Sequence, residues 1–281
     1  MRAQRALLNQ IGSELGQPVV FIKAARADAV LYGAQGERYG TDIDVSVPSS
    51  AFDAVANALQ DRGFRAVEGL NGARGAYFEL REKSFSPPAG SAYLSVDLHR
   101  ILGDDCWVDY PPGELFGRAK LYESPQGQIL SLSPEDQVVY AYVHHTVHAF
   151  DLDERHLLDT VRLIDQFPID WHTVVQRAKK AGQLVTLTLL LKSMQGLGTR
   201  APLVEIEWRY HQQARLVRAI IGHDGIVSRG IKRGRMLDYF AVRPLLSDNL
   251  SAPTKFAIKH GIPWLIEAAR TRKSDLANMF R

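Results

Sequence analysis

GAQGERYGTDIDVSV, residues Gly33 to Val47, decides how this chain is read. Its second half alternates. In an extended strand Asp42 and Asp44 leave one face, while Ile43, Val45 and Val47 leave the other. Burying the apolar face against a core therefore presents two carboxylates together on the opposite face. A glycine-bearing loop that ends in such a pair can hold a metal ion and the phosphates it carries. The same residues also suit a strand with two solvated aspartates at its mouth.

Upstream, Arg2 to Leu15 repeats apolar residues at helical spacing and stops at Gly16 and Pro18. Val19 to Lys23 reads as a buried strand, and Ala24 to Tyr32 as a helix delivering the chain to the Gly33 loop. Downstream, Pro48 ends the DIDVSV strand, Ser49 or Ser50 suits an N-cap, and Phe52, Val55 and Leu59 share one helical face before Gly63. Arg65 to Glu68 and Ala76 to Glu82 read as strands, and Ser84 to Ser91 (SFSPPAGS) as a connecting loop. Ala92 to His99 alternates again, with Leu94, Val96 and Leu98 on one face and Asp97 and His99 on the other. A third carboxylate has arrived on a strand. Ile101 to Leu130 reads as a crossing between domains.

Ser133-Pro134-Glu135-Asp136 is a well-formed helix start, with a Ser cap, Pro at the first position and acids where the helix dipole favours them. Helices are predicted over 134–150, 154–167, 171–182 and 184–197. The expected architecture is α+β: an N-terminal mixed sheet with helices over 1–125 and a helical domain over 126–281 that completes a cleft.

The chain has 281 residues, 46% of them hydrophobic, enough for one large domain or two ordinary ones. Its first residues, MRAQRALLNQIGSEL, lack a signal-peptide core, and no stretch approaches the roughly 20 apolar residues of a membrane span. A soluble, cytoplasmic protein without a membrane partner is expected. The single Cys106 excludes an intramolecular disulfide and a cysteine-rich zinc site, and suits a small core position. Through Pro125 there are 13 Lys and Arg against 16 Asp and Glu; beyond it, 21 against 15. The acidic half holds the candidate metal site, and the basic half can face an anionic ligand or simply solvent. A balance of +6 is modest for a nucleic-acid binder, so nucleic acid is not the expected partner.

Other candidates stand out by spacing. His144, His145 and His148 fall in one predicted helix, where positions four apart share a face, but no Glu follows the first His as a zincin motif requires. Internal hydrogen bonding or a ligand contact would both account for them. Arg229 to Arg235 (RGIKRGR) packs four cations into seven residues, as a solvated loop or a contact to an anionic acceptor. Trp107, Trp171, Trp208 and Trp264 are scattered and suit core packing.

If the strands of Asp42, Asp44 and Asp97 lie side by side, three bare anions imply a bound divalent metal. Mg²⁺ suits hard carboxylate and phosphate oxygens, and two ions about 3.5–4 Å apart would polarise an α-phosphate and stabilise leaving pyrophosphate. GERYGTDIDVSV followed by SVDLH resembles the polymerase β-type nucleotidyltransferase superfamily. More narrowly, the chain resembles a bacterial family of uncharacterised nucleotidyltransferases. That family has a Lys-Gly after the first strand, an Arg before DID, a V-D/E-L-H strand, and a helical half with H-x-x-x-H and a later Asp. The matching positions are Lys23, Arg38, Asp42, Asp44, Asp97, His99, His144, His148 and Asp159, spanning Val19 to Pro202.

The resemblance implies that Asp42, Asp44 and Asp97 hold metal and carry catalysis, Asp97 as general base or shared ligand. It implies nucleotide contacts from Lys23, Arg38, Gly40, Thr41, His99, His144, His148 and Asp159, with Asp159 fixing a histidine tautomer. Ala24 stands where the family has glycine and the superfamily's Gly-Ser loop is absent, which leaves phosphate binding to Lys23 and Arg38. The implied activity is Mg²⁺-dependent transfer of a nucleotidyl group from an NTP to a hydroxyl of a small molecule, such as an aminoglycoside-like antibiotic, or of a peptide. The alternatives are a peptide-tailoring transferase using a nucleotide sugar or NTP, an inactive nucleotide-binding sensor or toxin-system partner, and a template-independent nucleic-acid polymerase.

Overall fold

The computed structural model describes residues 2–23, 30–32, 40–67, 81–102, 108, 112–123, 127–147, 154–196, 204–221, 245–248, 251, 254–255 and 258. Helix α1 (Arg2–Leu15) leads to β1 (Val20–Phe21) and β2 (Asp42–Ser46). Then come α2 (Phe52–Asp61), β3 (Arg65–Ala66), β4 (Glu82–Ser86) and β5 (Ser95–His99). A short α3 (Pro112–Arg118) precedes β6 (Lys120–Tyr122) and β7 (Ile129–Ser131). Beyond β7 the described elements are helices: α4 (Pro134–Val147), α5 (Glu154–Gln166), α6 (Trp171–Lys180), α7 (Leu184–Gly196) and α8 (Trp208–Ile221). The fold is α+β, as expected. No helix among the described residues is long and apolar enough to cross a membrane.

Among the described residues, seven strands form one mixed sheet in the order β3-β4-β5-β2-β1-β7-β6. β2 runs parallel to β5 and β1 parallel to β7, while the other neighbours are antiparallel. The alternation read from sequence is realised at its centre. Ile43, Val45, Val47, Val96 and Leu98 are buried against Leu8 and Ile11 of α1 and Phe52, Val55 and Leu59 of α2. On the opposite face, Val20 and Ile22 enter a second core built from α4, α5, α6, α7 and α8. At β2 and β5 that same face carries Asp42, Asp44, Asp97 and His99 instead. The acidic face thus begins where the apolar seam to the helical half ends.

Local chemistry explains several boundaries. Ser133 caps α4, its Oγ accepting from the Asp136 amide at 3.2 Å. Gly63 takes φ +84 and closes α2. The N-cap of α2, however, is Ala51 without a side-chain cap; Ser49 and Ser50 lie in the preceding turn. There the turn is closed by the backbone, with Ala51 N–H donating to Pro48 O at 2.8 Å.

The structure corrects three further readings. Ser84 to Ser86 belong to β4, not to a loop, because Ser84 and Phe85 pair with Asp97 and Val96 and Phe85 fills the core. Cross-strand pairing and one buried aromatic override the local Ser-Pro signal. Within the expected crossing of 101–130, β6 and β7 close the sheet, β7 pairing directly with β1. Trp208 is 74% exposed and is not core. Most of the expected helix at 24–32, most of the expected strand at 76–82, Cys106, Trp107, Trp264 and the 229–235 cluster lie outside the described residues.

α3, α4 and α6 are tied by Asp136, which is 0% exposed. Its Oδ2 accepts from Arg118 Nε at 2.9 Å and Ser133 Oγ at 3.0 Å; Oδ1 accepts from Arg118 Nη2 at 3.0 Å and Arg177 Nη1 at 2.8 Å. Two guanidinium groups and a hydroxyl satisfy the carboxylate that the sequence places in the first turn of α4.

Candidate active site

The β2–β5 register places Asp44 opposite Asp97 and Asp42 opposite Ser95. In a parallel pair with matched pleat, the side chains of Asp42, Asp44 and Asp97 share one face. β4 adds Ser84 opposite Asp97 and Glu82 opposite His99. Ser84 Oγ donates to Asp97 Oδ1 at 2.6 Å. His99, 5% exposed, lies between two carboxylates, with Nε2 2.9 Å from Asp44 Oδ1 and Nδ1 3.2 Å from Glu82 Oε2. Lys23 Nζ donates to the same Asp44 Oδ1 at 2.6 Å.

Electrostatics divides the three aspartates. Burial raises the Asp42 carboxyl, and the charges of Asp44 and Asp97 raise it further. Asp97 is raised as well, by burial and by Asp44, against the Ser84 hydrogen bond. For Asp44 burial also acts upward, but Lys23 and His99 reverse it and hold the carboxyl down at about 2. Burial would lower the Lys23 ammonium; Tyr140, Asp44 and Glu82 keep it above its ordinary range.

Beside this cluster, a cavity between the sheet and the helical half is lined by Lys23, Leu31, Tyr140, His144, His156 and Asp159, among others. The His144 and His156 rings meet edge to face at 4.8 Å. Asp159 Oδ1 accepts from Tyr32 O–H at 2.9 Å, and the Arg162 guanidinium lies 4.1 Å from the Tyr32 ring centre. Lys23 belongs to both groups, touching Asp44 on one side and lining the cavity on the other.

Residues 2–197 match the family model described as uncharacterised nucleotidyltransferase. The chain belongs to that family. It is a nucleotidyltransferase. No curated protein matches the sequence. Among solved structures, the antibiotic-resistance factor ANT(2'')-Ia is similar over 63% of this chain and 90% of its own, at 16% identity and a TM-score of 0.43. Its complex with adenylyl-2''-tobramycin covers 64% and 95%, at 17% and 0.42. The lincosamide antibiotic adenylyltransferase LnuA covers 57% and 94%, at 18% and 0.41.

In this nucleotidyltransferase the expected residues fall into two groups. Lys23, Asp42, Asp44, Asp97 and His99 form one cluster, and His144 and Asp159 line the adjoining cavity. Gly40 and Thr41 immediately precede β2, with Thr41 exposed at its mouth. Arg38 and His148 lie outside the described residues. His99 was expected to contact nucleotide, yet its ring is buried against Asp44 and Glu82. Glu82, Ser84, Tyr140 and His156 were not anticipated. The alternation of Glu82, Ser84 and Ser86 was a usable signal for the first two, masked by the prolines that follow.

The donor set fits Mg²⁺ in its chemistry. Three carboxylates offer hard oxygens, two of them with raised affinity for protons and so short of positive charge. No group of three metal-binding side chains is drawn into a ready cage among the described residues. Mg²⁺ seldom uses such a cage, taking one or two carboxylates together with water and substrate phosphates.

Proposed function

We propose that this nucleotidyltransferase moves a nucleotidyl group from an NTP to a hydroxyl of a small molecule or peptide, releasing pyrophosphate. The observation that carries this reading is the parallel pairing that sets Asp44 against Asp97 with Asp42 on the same face. Mg²⁺ held by Asp42 and Asp44 would neutralise phosphate charge and favour departure of the leaving group.

The protein's own part can be followed atom by atom. The acceptor oxygen attacks the α-phosphorus and its proton passes to Asp97, whose raised carboxyl is a stronger base than an ordinary aspartate. The new phosphorus–oxygen bond forms as the bond to the bridging oxygen breaks, and pyrophosphate takes the bonding pair. Ser84 fixes the rotamer of Asp97 through Oδ1, leaving Oδ2 for the acceptor. Lys23 and His99 keep Asp44 ionised throughout. The cavity of His144, His156 and Asp159 lies beside the cluster on the helical side, where it would orient substrate and shield the reaction from water.

The test incubates the protein with each NTP, labelled at the α-phosphate, together with Mg²⁺ and a panel of hydroxyl-bearing acceptors. Label transfer with equimolar pyrophosphate is expected. NTP binding without transfer or pyrophosphate would make the chain a nucleotide-binding module.

A further inference from the structure

The environment of a single oxygen has a consequence for metal use. Asp44 Oδ1 accepts from Lys23 Nζ at 2.6 Å and faces His99 Nε2 at 2.9 Å. A carboxylate oxygen has two lone pairs, so both are engaged. Two closely spaced ions are clamped most directly by a carboxylate that gives one oxygen to each. Asp44 is the residue placed for that role, between Asp42 on its own strand and Asp97 on the next. One of its two oxygens is already taken by an ammonium.

We propose, resting on the nucleotidyltransferase reading above, that Lys23 stands permanently in place of one metal ion, and that the site works with a single divalent cation on Asp42 and Asp44 Oδ2. Charge points the same way: the Lys23 ammonium offsets one of the aspartate charges that a second cation would otherwise have to balance.

The backbone supports it too. Lys23 has φ +49, alone among the described non-glycine residues in taking a positive value. This conformation is costly and persists where the surroundings enforce it. The enforcement is visible. The preceding residue, Ile22, donates its N–H to Asp44 O at 3.1 Å, which fixes Lys23 beside the strand that carries its partner. From the helical half, Tyr140 lines the same cavity as Lys23. With Lys23 only 17% exposed and bonded to Asp44, its ammonium is a built part of the cluster. A lysine that merely awaited a phosphate would have no need of such a seat.

Mn²⁺ serves as the probe, titrated into full-length protein with a non-hydrolysable NTP analogue. Ions are counted by calorimetry and by electron paramagnetic resonance, where a close pair shows spin coupling. Wild type is expected to bind one ion per chain, uncoupled. Lys23→Met, which removes the ammonium, is expected to bind two, coupled. Lys23→Arg, which keeps the charge, is expected to return to one. Two coupled ions in the wild type would overturn the proposal, and so would an unchanged count in a folded Lys23→Met. The wild-type count decides alone if Lys23→Met does not fold. Two ions together with label transfer would remove this inference and leave the proposed function intact. One ion without transfer would do the reverse.

Discussion

Asp136 and Asp44 are both buried, at 0% and 2% exposure, yet they are surrounded differently. Asp136 lies among two arginines and a serine, with both oxygens satisfied, and Arg118 also reaches Glu114. Asp44 shares one lysine with Asp42 and Asp97, and both of its strong contacts fall on the same oxygen. Asp136 has cations enough to engage both of its oxygens. The aspartates of the sheet have fewer. A complete network locks elements together, as Asp136 locks α3, α4 and α6, whereas an incomplete one keeps an appetite for a cation. This difference separates a structural acid from a chemical one better than burial does.

The sharpest way to break the comparison is to neutralise one acid of each kind. Asp97→Asn should lower nucleotidyl transfer by about 10²–10⁴-fold while leaving thermal stability equal or higher, since a like charge has been removed. Full activity in Asp97→Asn would end its assignment as the base. Asp136→Ala should do the opposite. It leaves two half-buried guanidinium groups without this carboxylate and should cost about 1–3 kcal/mol in a urea titration, with turnover per folded molecule retained.

A smaller effect follows from pH. Asp42 and Asp97 have carboxyls raised above the unfolded value, so the folded state holds protons that the unfolded state has released. Their contribution to stability is full below the unfolded pKa and is lost as pH rises through the folded values. In EDTA, the melting temperature should therefore gain from Asp42→Asn on the alkaline side of that range. With Mg²⁺ and a nucleotide analogue present, the gain should vanish. An identical gain with and without the ion would show that the cluster does not hold it.

Much of this was legible in the chain. DIDVSV and SVDLH alternate so strictly that the shared face of Asp42, Asp44 and Asp97 required only that the strands be neighbours. The Ser133 cap and the helices from α4 to α7 carry their own start signals. What stayed hidden depends on partners far along the chain. The family resemblance implied a nucleotide contact for His99, and only the register with Glu82 shows that its ring is enclosed. β4 was concealed by Pro87 and Pro88, since a strand of serines with one phenylalanine has little pattern of its own. Lys23 read as a phosphate ligand, and a positive φ at lysine has no sequence signature.

The parallel pairing of β1 with β7 also sets a timetable. Phe21 and Ser131 lie side by side, and Ser131 Oγ donates to Phe21 O at 2.6 Å across 110 residues of chain. On the ribosome, β1 and β2 can pair early, but the far edge of β1 has no partner until Ser131 has emerged. An unpaired apolar edge invites pairing with other chains. The interval between the synthesis of residues 21 and 131 is thus when a nascent chain is most exposed to aggregation. Pausing within it, or losing a chaperone that covers β1, should reduce the yield of folded protein without changing the stability of the molecules that finish.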